Sequence, residues 1–301
     1  MTRAGTKFGP TWRLGAGRSL SLDRPRIIGI LNVTPDSFAD GGKHAELPEA
    51  LAGAEEMVAA GADMLDIGGE STRPGAQRVA VDEQIRRVLP VIKAIRGAGI
   101  TVPISIDTTL DEVAARAIDA GADAINDVSA GIESEGMFRL AASRRVGLIL
   151  MHRRVPPPLD RFSDQYAVAP KFGDVTKEVA RYLGERARLA MAAGVLRESI
   201  VLDPGLGFGK SVDQNVELIS GNFTLLDLGF PILSALSRKS FVGRISLERD
   251  SDPSERLPGT LSFSVSHMYA GARLFRVHDV KEHRELLDKE WPNALKISGG
   301  C

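Results

Sequence analysis

Two hydrophobic patterns alternate along this chain. Amphipathic stretches with helical spacing end in a glycine, and short apolar runs follow that stop abruptly at polar residues. The first apolar run, Ile27 to Leu31, is uniform enough for a strand buried on both faces and stops at Asn32. Thr34-Pro35-Asp36 then breaks any regular element, and Gly41-Gly42 extend the loop. The pattern recurs. Gly61 precedes Asp63 to Ile67, and Gly99 precedes Val102 to Ile106, which ends at Asp107. Gly121 precedes Ala124-Ile125, ending at Asn126-Asp127, and Gly147 precedes Leu148 to Leu150, ending at Met151-His152. Gly194 precedes Ile200 to Leu202, ending at Asp203. Gly229 precedes Ile232 to Leu236, ending at Ser237-Arg238-Lys239-Ser240. Gly271 precedes Leu274-Phe275, ending at Arg276-Val277-His278-Asp279.

Eight strand-helix units in roughly 250 residues predict a single (β/α)8 TIM barrel. An open doubly wound sheet would carry a glycine-rich first turn, whereas the first turn here is Asn-Val-Thr-Pro. No composition break marks a second domain. Residues 1–26 are read as an N-terminal extension with a short hairpin around Leu14-Gly15 and Ser19 to Leu22, covering one end of the core. Residues 27–290 form the barrel and 291–301 a tail. The Pro156-Pro157-Pro158 run and the polar stretch from Glu248 to Glu255 are long surface loops at the carboxyl end of the strands.

Composition narrows the functions available. The 301 residues are 43% hydrophobic and 26% charged, with a net charge of −1, so no global field recruits nucleic acid or an anionic membrane. No apolar run reaches roughly 18 residues, which argues against a membrane span. The one cysteine, Cys301, closes no internal disulfide and fits a reducing cytoplasm. The basic N-terminus lacks the apolar core of a secretory signal.

In such a barrel the carboxyl ends of all strands face one pocket. Asn32, Asp66, Asp107, Asn126, Asp203, Lys239, Arg276 and His278 collect there. Any one of them could bridge neighbouring strands, but the set is poorly explained as packing. Asp107, Asn126 and Asp203 suit a planar heterocycle with an amidine-like donor edge, and Lys239 offers a donor to a ring carbonyl or nitrogen. Arg276 can lie flat against a ring while its donors reach an anion. Arg73 and His278, with Asn32, could hold a phosphate or a metal-bound pyrophosphate.

Five motifs then resemble dihydropteroate synthases. They are Asn32-Val-Thr-Pro-Asp-Ser-Phe38, Gly69-Glu-Ser-Thr-Arg-Pro-Gly75, Asp203-Pro-Gly-Leu-Gly-Phe208, Ser237-Arg-Lys-Ser-Phe241 and Arg276-Val-His-Asp-Val280, in order from about Trp12 to Leu287. The resemblance implies a barrel, a homodimer, and the joining of 6-hydroxymethyl-7,8-dihydropterin pyrophosphate to p-aminobenzoate, with magnesium accompanying the pyrophosphate. It implies that sulfonamides compete with p-aminobenzoate. Carried over by motif, Asp107, Asn126, Asp203 and Lys239 would hold the pterin, Met151 and Phe208 would line it, and Arg276 would stack beneath it. Asn32, Arg73, Arg276 and His278 would hold pyrophosphate, with Asn32 next to the magnesium ion. Phe38, Thr72, Pro74 and Ser240 would form the p-aminobenzoate pocket. Asp107, Lys239 and Arg276 would carry the catalysis.

The loop after Met151-His152 departs from that pattern. Where the family usually shows a Gly and a Pro, this chain reads Arg153-Arg-Val-Pro-Pro-Pro-Leu-Asp-Arg-Phe162. The helix from Leu261 to Ala270, also atypical in its Ser, His and Tyr content, is read as a dimer surface. Plainer readings attach to the rest. His152 satisfies a local backbone group, and Arg144-Arg145 and Arg153-Arg154 are solvated loop charge. Asp66 and Glu70 are partners for Arg73 or Lys239. Two other functions share parts of this pattern. A non-catalytic pterin-binding paralogue would have damaged anion or loop residues. A methyltetrahydrofolate-corrinoid methyltransferase would have no reason to keep Ser71 to Pro74 or Arg276 to His278.

Overall fold

The computed structural model describes residues 8–33 and 46–298. Two short strands, β1 (Thr11–Arg13) and β2 (Ser19–Ser21), pair antiparallel as the expected hairpin. Eight parallel strands follow: β3 (Arg26–Asn32), β4 (Met64–Gly68), β5 (Ile104–Asp107), β6 (Ala124–Asp127), β7 (Gly147–Met151), β8 (Ile200–Asp203), β9 (Leu233–Ser234) and β10 (Leu274–Val277). Each pairs with its neighbour in chain order, β10 returns to β3, and a parallel bridge from Leu202 to Ile232 closes the barrel between β8 and β9. The strand expected from Val102 starts at Ile104, because Pro103 has no N–H for the ladder and offers only its carbonyl, to Leu65.

The helices between strands are α1 (Glu46–Ala59), α2 (Val81–Gly97), α3 (Asp111–Asp119), α4 (Met137–Arg144), α5 (Val175–Ala192), α6 (Val212–Ser220) and α7 (Asn222–Leu226), then α8 (Ser240–Leu247), α9 (Leu257–Tyr269) and α10 (Val280–Ser298). Six of the glycines read as helix stops (Gly61, Gly99, Gly121, Gly194, Gly229 and Gly271) have positive φ, the left-handed turn that ends a helix. Before β7 the pattern differs: Arg145, with φ 51°, takes the left-handed cap of α4, and Gly147 serves another need. A Cβ there would sit 2.7 Å from Leu14 and 2.9 Å from Trp12, so the hairpin packs directly on this strand. Trp12 is fully buried and donates from Nε1 to the Ser199 carbonyl at 2.8 Å, sealing the amino-terminal end of the barrel. Helix α10 runs without a break past residue 290, where the sequence placed the end of the barrel; Arg273 lies over Trp291 and Ala294 is buried.

Candidate active site

Strand register brings the polar strand ends together. Asn32 is opposite Gly68, Gly68 opposite Asp107, and Asp107 opposite Asn126, while Met151 pairs with Asp203 across β7 and β8. One layer deeper, Asp66 accepts hydrogen bonds from Ser105, from Asn126 Nδ2 at 3.0 Å and from Arg276 Nε at 2.6 Å. Arg276 also donates from Nη2 to Asp107 at 2.8 Å, so one guanidinium holds two buried carboxylates. Asp66 is therefore the hub for Arg276 and Asn126 and pairs with neither Arg73 nor Lys239, correcting the sequence reading. Burial opposes the charge on Arg276, but Asp66 and Asp107 more than offset it and hold the guanidinium above its ordinary value. Burial pushes Asp107 above the usual carboxylate range, against the pull of Arg276.

Two acceptors in this layer are left bare. Asp107 Oδ1 and Asn126 Oδ1 are buried and make no hydrogen bond. Beside them Asp203, also buried, accepts the Gly205 N–H at Oδ1 (2.7 Å), and burial raises its pKa despite nearby Lys239. Lys239 donates to the Leu206 carbonyl and lies 4.3 Å from the centre of the Phe208 ring. Burial pulls its ammonium down to about 8, with Asp203 opposing. Met151 and Phe208 pack with Val128 as a small apolar wall apart from the main core. Val128 was not singled out from the sequence, although it follows the polar end of β6 directly.

Next to Arg276 the rim carries His278. Its Nδ1 lies 3.0 Å from Ser237 Oγ, and the same oxygen accepts the His278 backbone N–H at 3.2 Å. The one hydroxyl thus contacts both the ring and the main chain of His278 and fixes the orientation of the imidazole. Burial, with Arg276 and Arg238 nearby, holds His278 down to about 3, so its ring is a neutral imidazole. Arg73 contributes to the same field and so belongs to the rim. Ser237 was missed as a site residue for want of any spacing signal linking it to His278. Thr72 and Pro74 are half-buried on the loop after β4, and Ser240 is buried at the start of α8. Phe38 lies outside the described residues. Asn32 ends β3, half-buried.

Other readings need revision. Glu70 pairs with Arg78 at 3.0 Å, not with Arg73 or Lys239. Arg153 is no solvated loop charge: its side chain is 7% exposed and ion-paired to Glu133. Arg144 pairs with Asp119 on the surface. The His152 ring does not satisfy a backbone group: it is buried edge-on against Tyr182, with ring centres 4.9 Å apart, and its Nδ1 makes no hydrogen bond. Only its main-chain N–H reaches the Asp203 carbonyl, at 3.0 Å. The glycine-rich stretch after Asp203 is tied by Lys210, fully buried, whose Nζ donates to the carbonyls of Gly205 (2.8 Å), Phe208 (2.9 Å) and His152 (3.3 Å). Among the described residues no group of three or more His, Cys, Asp or Glu is placed to hold a metal, and no helix is long and apolar enough to cross a membrane.

The pocket thus offers buried acceptors below, an apolar wall, a lysine donor and a cationic rim above. Comparison with known proteins agrees. The Pterin binding enzyme family matches residues 28–278. A dihydropteroate synthase from Synechocystis sp. is 43% identical over 259 residues, covering 86% of this chain and 86% of that protein. The solved dihydropteroate synthase of Xanthomonas albilineans with 4-aminobenzoic acid superposes with a TM-score of 0.83 at 43% identity, covering 93% of this chain and 97% of the other. The Yersinia pestis dihydropteroate synthase in a sulfonamide drug complex gives 0.81 at 38% identity, covering 94% and 96%. A match this long, on a barrel that places these motifs at its strand ends, means that the chain belongs to the dihydropteroate synthase family of pterin-binding enzymes.

Proposed function

We propose that this protein is a transferase that condenses 6-hydroxymethyl-7,8-dihydropterin pyrophosphate with p-aminobenzoate, giving 7,8-dihydropteroate and pyrophosphate. The observation that carries this is the pair of bare buried acceptors, Asp107 Oδ1 and Asn126 Oδ1, beside the Asp203 carboxylate. Buried acceptors without donors cost about 1–3 kcal/mol each. A pterin brings the N–H donors that satisfy them, while Lys239 donates to its ring oxygen or nitrogen and Met151, Phe208 and Val128 cover its apolar surface. Arg276 underlies the ring and, with Arg73, Asn32 and His278, receives the pyrophosphate.

The bond from the pterin methylene carbon to the pyrophosphate oxygen breaks, and its electron pair leaves with pyrophosphate. Fixed carboxylates stabilise the delocalised cation that remains. The p-aminobenzoate amine then forms the new C–N bond and loses its proton. Thr72, Pro74, Ser240 and Phe38 hold that second substrate, and sulfonamides compete with it there. Bound magnesium would supply charge neutralisation to the pyrophosphate. The Asn32 side-chain oxygen, beside the substrate's own phosphate oxygens, would hold it, magnesium being an oxygen-seeking ion that keeps most of its other positions for phosphate and water. The enzyme acts in the cytoplasm as a homodimer. The half-buried Leu261, Phe263 and Val265 on α9 and the exposed Phe223 (60%) on α7 supply apolar surface for the partner. The non-catalytic alternative loses ground because Arg73, His278 and the Thr72 to Gly75 loop are all in place.

The test is turnover of both substrates by the purified protein with magnesium, with and without sulfamethoxazole, together with growth of a synthase-null auxotroph. Product formation inhibited competitively against p-aminobenzoate supports the assignment; tight pterin binding without turnover would turn it to the paralogue.

A further inference from the structure

The atypical loop after β7 is not idle surface. Pro157 is buried, and its carbonyl accepts the Gly75 N–H at 2.7 Å as well as the Asp160 N–H at 3.1 Å. Gly75 is the tip of the loop that carries Thr72, Arg73 and Pro74. Three successive prolines fix their φ angles, so the carbonyl offered to Gly75 comes from a stiff segment. That segment is anchored at its far end. The Asp160 carboxylate accepts from Gly209 N (3.0 Å), Arg161 N (2.8 Å) and the Tyr166 hydroxyl (2.7 Å). Ser163 Oγ accepts from Asn215 Nδ2 at 3.0 Å, and Asn215 Oδ1 in turn accepts Gly207 N at 2.6 Å. Its footing is therefore the glycine-rich loop that lies against the Lys239 stem.

The near end is held by charge. Arg153, with a 7% exposed side chain, pairs with Glu133, which also pairs with Arg78 and accepts from Thr109 Oγ1 at 2.6 Å. Arg78 reaches Glu70 and Thr109, each at 3.0 Å, and the other Glu70 oxygen accepts Val79 N at 2.7 Å. The stretch from Glu70 to Val79 is thus closed at its base and pinned at its tip. Arg78 and Arg153 balance Glu70 and Glu133: Arg153 does so from a buried position, whereas Arg78 closes the pairs from the solvent side with its side chain 41% exposed.

We infer that Pro156 to Pro158 form a strut that sets the Thr72–Gly75 loop before any ligand arrives, and that Arg153, Glu133 and Arg78 are positioning residues for p-aminobenzoate. The inference rests on the assignment of that loop to the p-aminobenzoate pocket. A loop already ordered does not charge its ordering to the ligand, so losing the strut weakens the second substrate selectively.

The experiment compares the full-length protein with a triple variant, Pro156→Gly, Pro157→Ser and Pro158→Gly, and with Glu133→Gln. Circular dichroism confirms that each folds. The Gly75 amide of the ligand-free wild type should exchange at least about 100-fold slower than an open chain, and about tenfold faster in the triple variant than in wild type. In both variants KM for p-aminobenzoate should rise about fivefold or more, with KM for the pterin substrate within about twofold of wild type. Rapid exchange of the wild-type Gly75 amide overturns the strut. An equal rise in both KM values, or lost protection with unchanged KM values, overturns the positioning role. A wild type without synthase turnover refutes the proposed reaction instead, and the exchange measurement still decides whether the strut exists.

Discussion

Arg276 is shared between Asp66 and Asp107, and this sharing leaves Asp107 one oxygen free for a ligand. Asp203 is satisfied differently: one oxygen is fixed by Gly205 N–H, which aims the carboxylate. Asp203→Asn replaces one charged acceptor with a misplaced donor. A hydrogen bond to a charged group contributes about 1.5–3 kcal/mol, so pterin affinity measured by calorimetry should fall about tenfold or more with the fold intact. Unchanged binding would remove Asp203 from the site. Lys239 sets a pH limit. Because burial lowers its pKa to about 8, it is charged below that value and loses its proton as pH rises through it. The kcat/KM for the pterin substrate should therefore decline above about pH 8, reporting the free enzyme. Lys239→Arg stays charged and should remove that alkaline limb while lowering the plateau; a limb unmoved in the variant would assign it to another group.

At the level of elements, the glycine-rich loop after β8 positions more of the site than any helix does. Lys210 gathers three of the carbonyls around it, and Gly205 allows the turn that brings them within reach. Gly205 has φ +67°, and a Cβ there would lie 1.8 Å from the His152 carbonyl oxygen. Gly205→Ala should therefore destabilise the protein by about 2 kcal/mol or more, through backbone strain plus a clash that only main-chain movement relieves. Urea unfolding checks this. The same change shifts the amide that holds Asp203, so pterin affinity should fall along with stability. A variant as stable as wild type would mean that this turn is not held as described.

For the whole molecule, four of the five histidines are held neutral, the buried His152, His267 and His283 and the half-buried His278, with His44 outside the described residues. Burial is the leading cause in each case, and for His267, with no exposed surface, it lowers the pKa to about 3. The unfolded chain takes up protons below about pH 6.5, whereas the folded state refuses them until far lower. Stability is thus complete above that pH and declines as pH falls through the window. Each fully buried histidine contributes up to about 1.4 kcal/mol of loss per pH unit. Denaturant midpoints should drop between pH 7 and pH 5, and His267→Gln should flatten the slope. A midpoint constant over that range would contradict the burial described for these rings.

What the sequence determined by itself was the repeat and its chemistry. Helix, glycine and apolar run recur in one order, and in a parallel barrel every strand then ends on the same face, so Asp107, Asn126, Asp203, Lys239 and Arg276 had to meet. Motif spacing also carried the family, because each motif sits where strand becomes loop. Pairing among those residues was not legible. Asp66 serving Arg276, Ser237 fixing His278, and Arg153 buried against Glu133 join residues far apart in the chain. Their distances depend on strand register and barrel stagger, which no local pattern encodes. The strut shows the same limit. Three prolines read as exposed loop in sequence, and only the closure of the barrel, by bringing the loops after β4 and β7 together, turned their carbonyl toward Gly75.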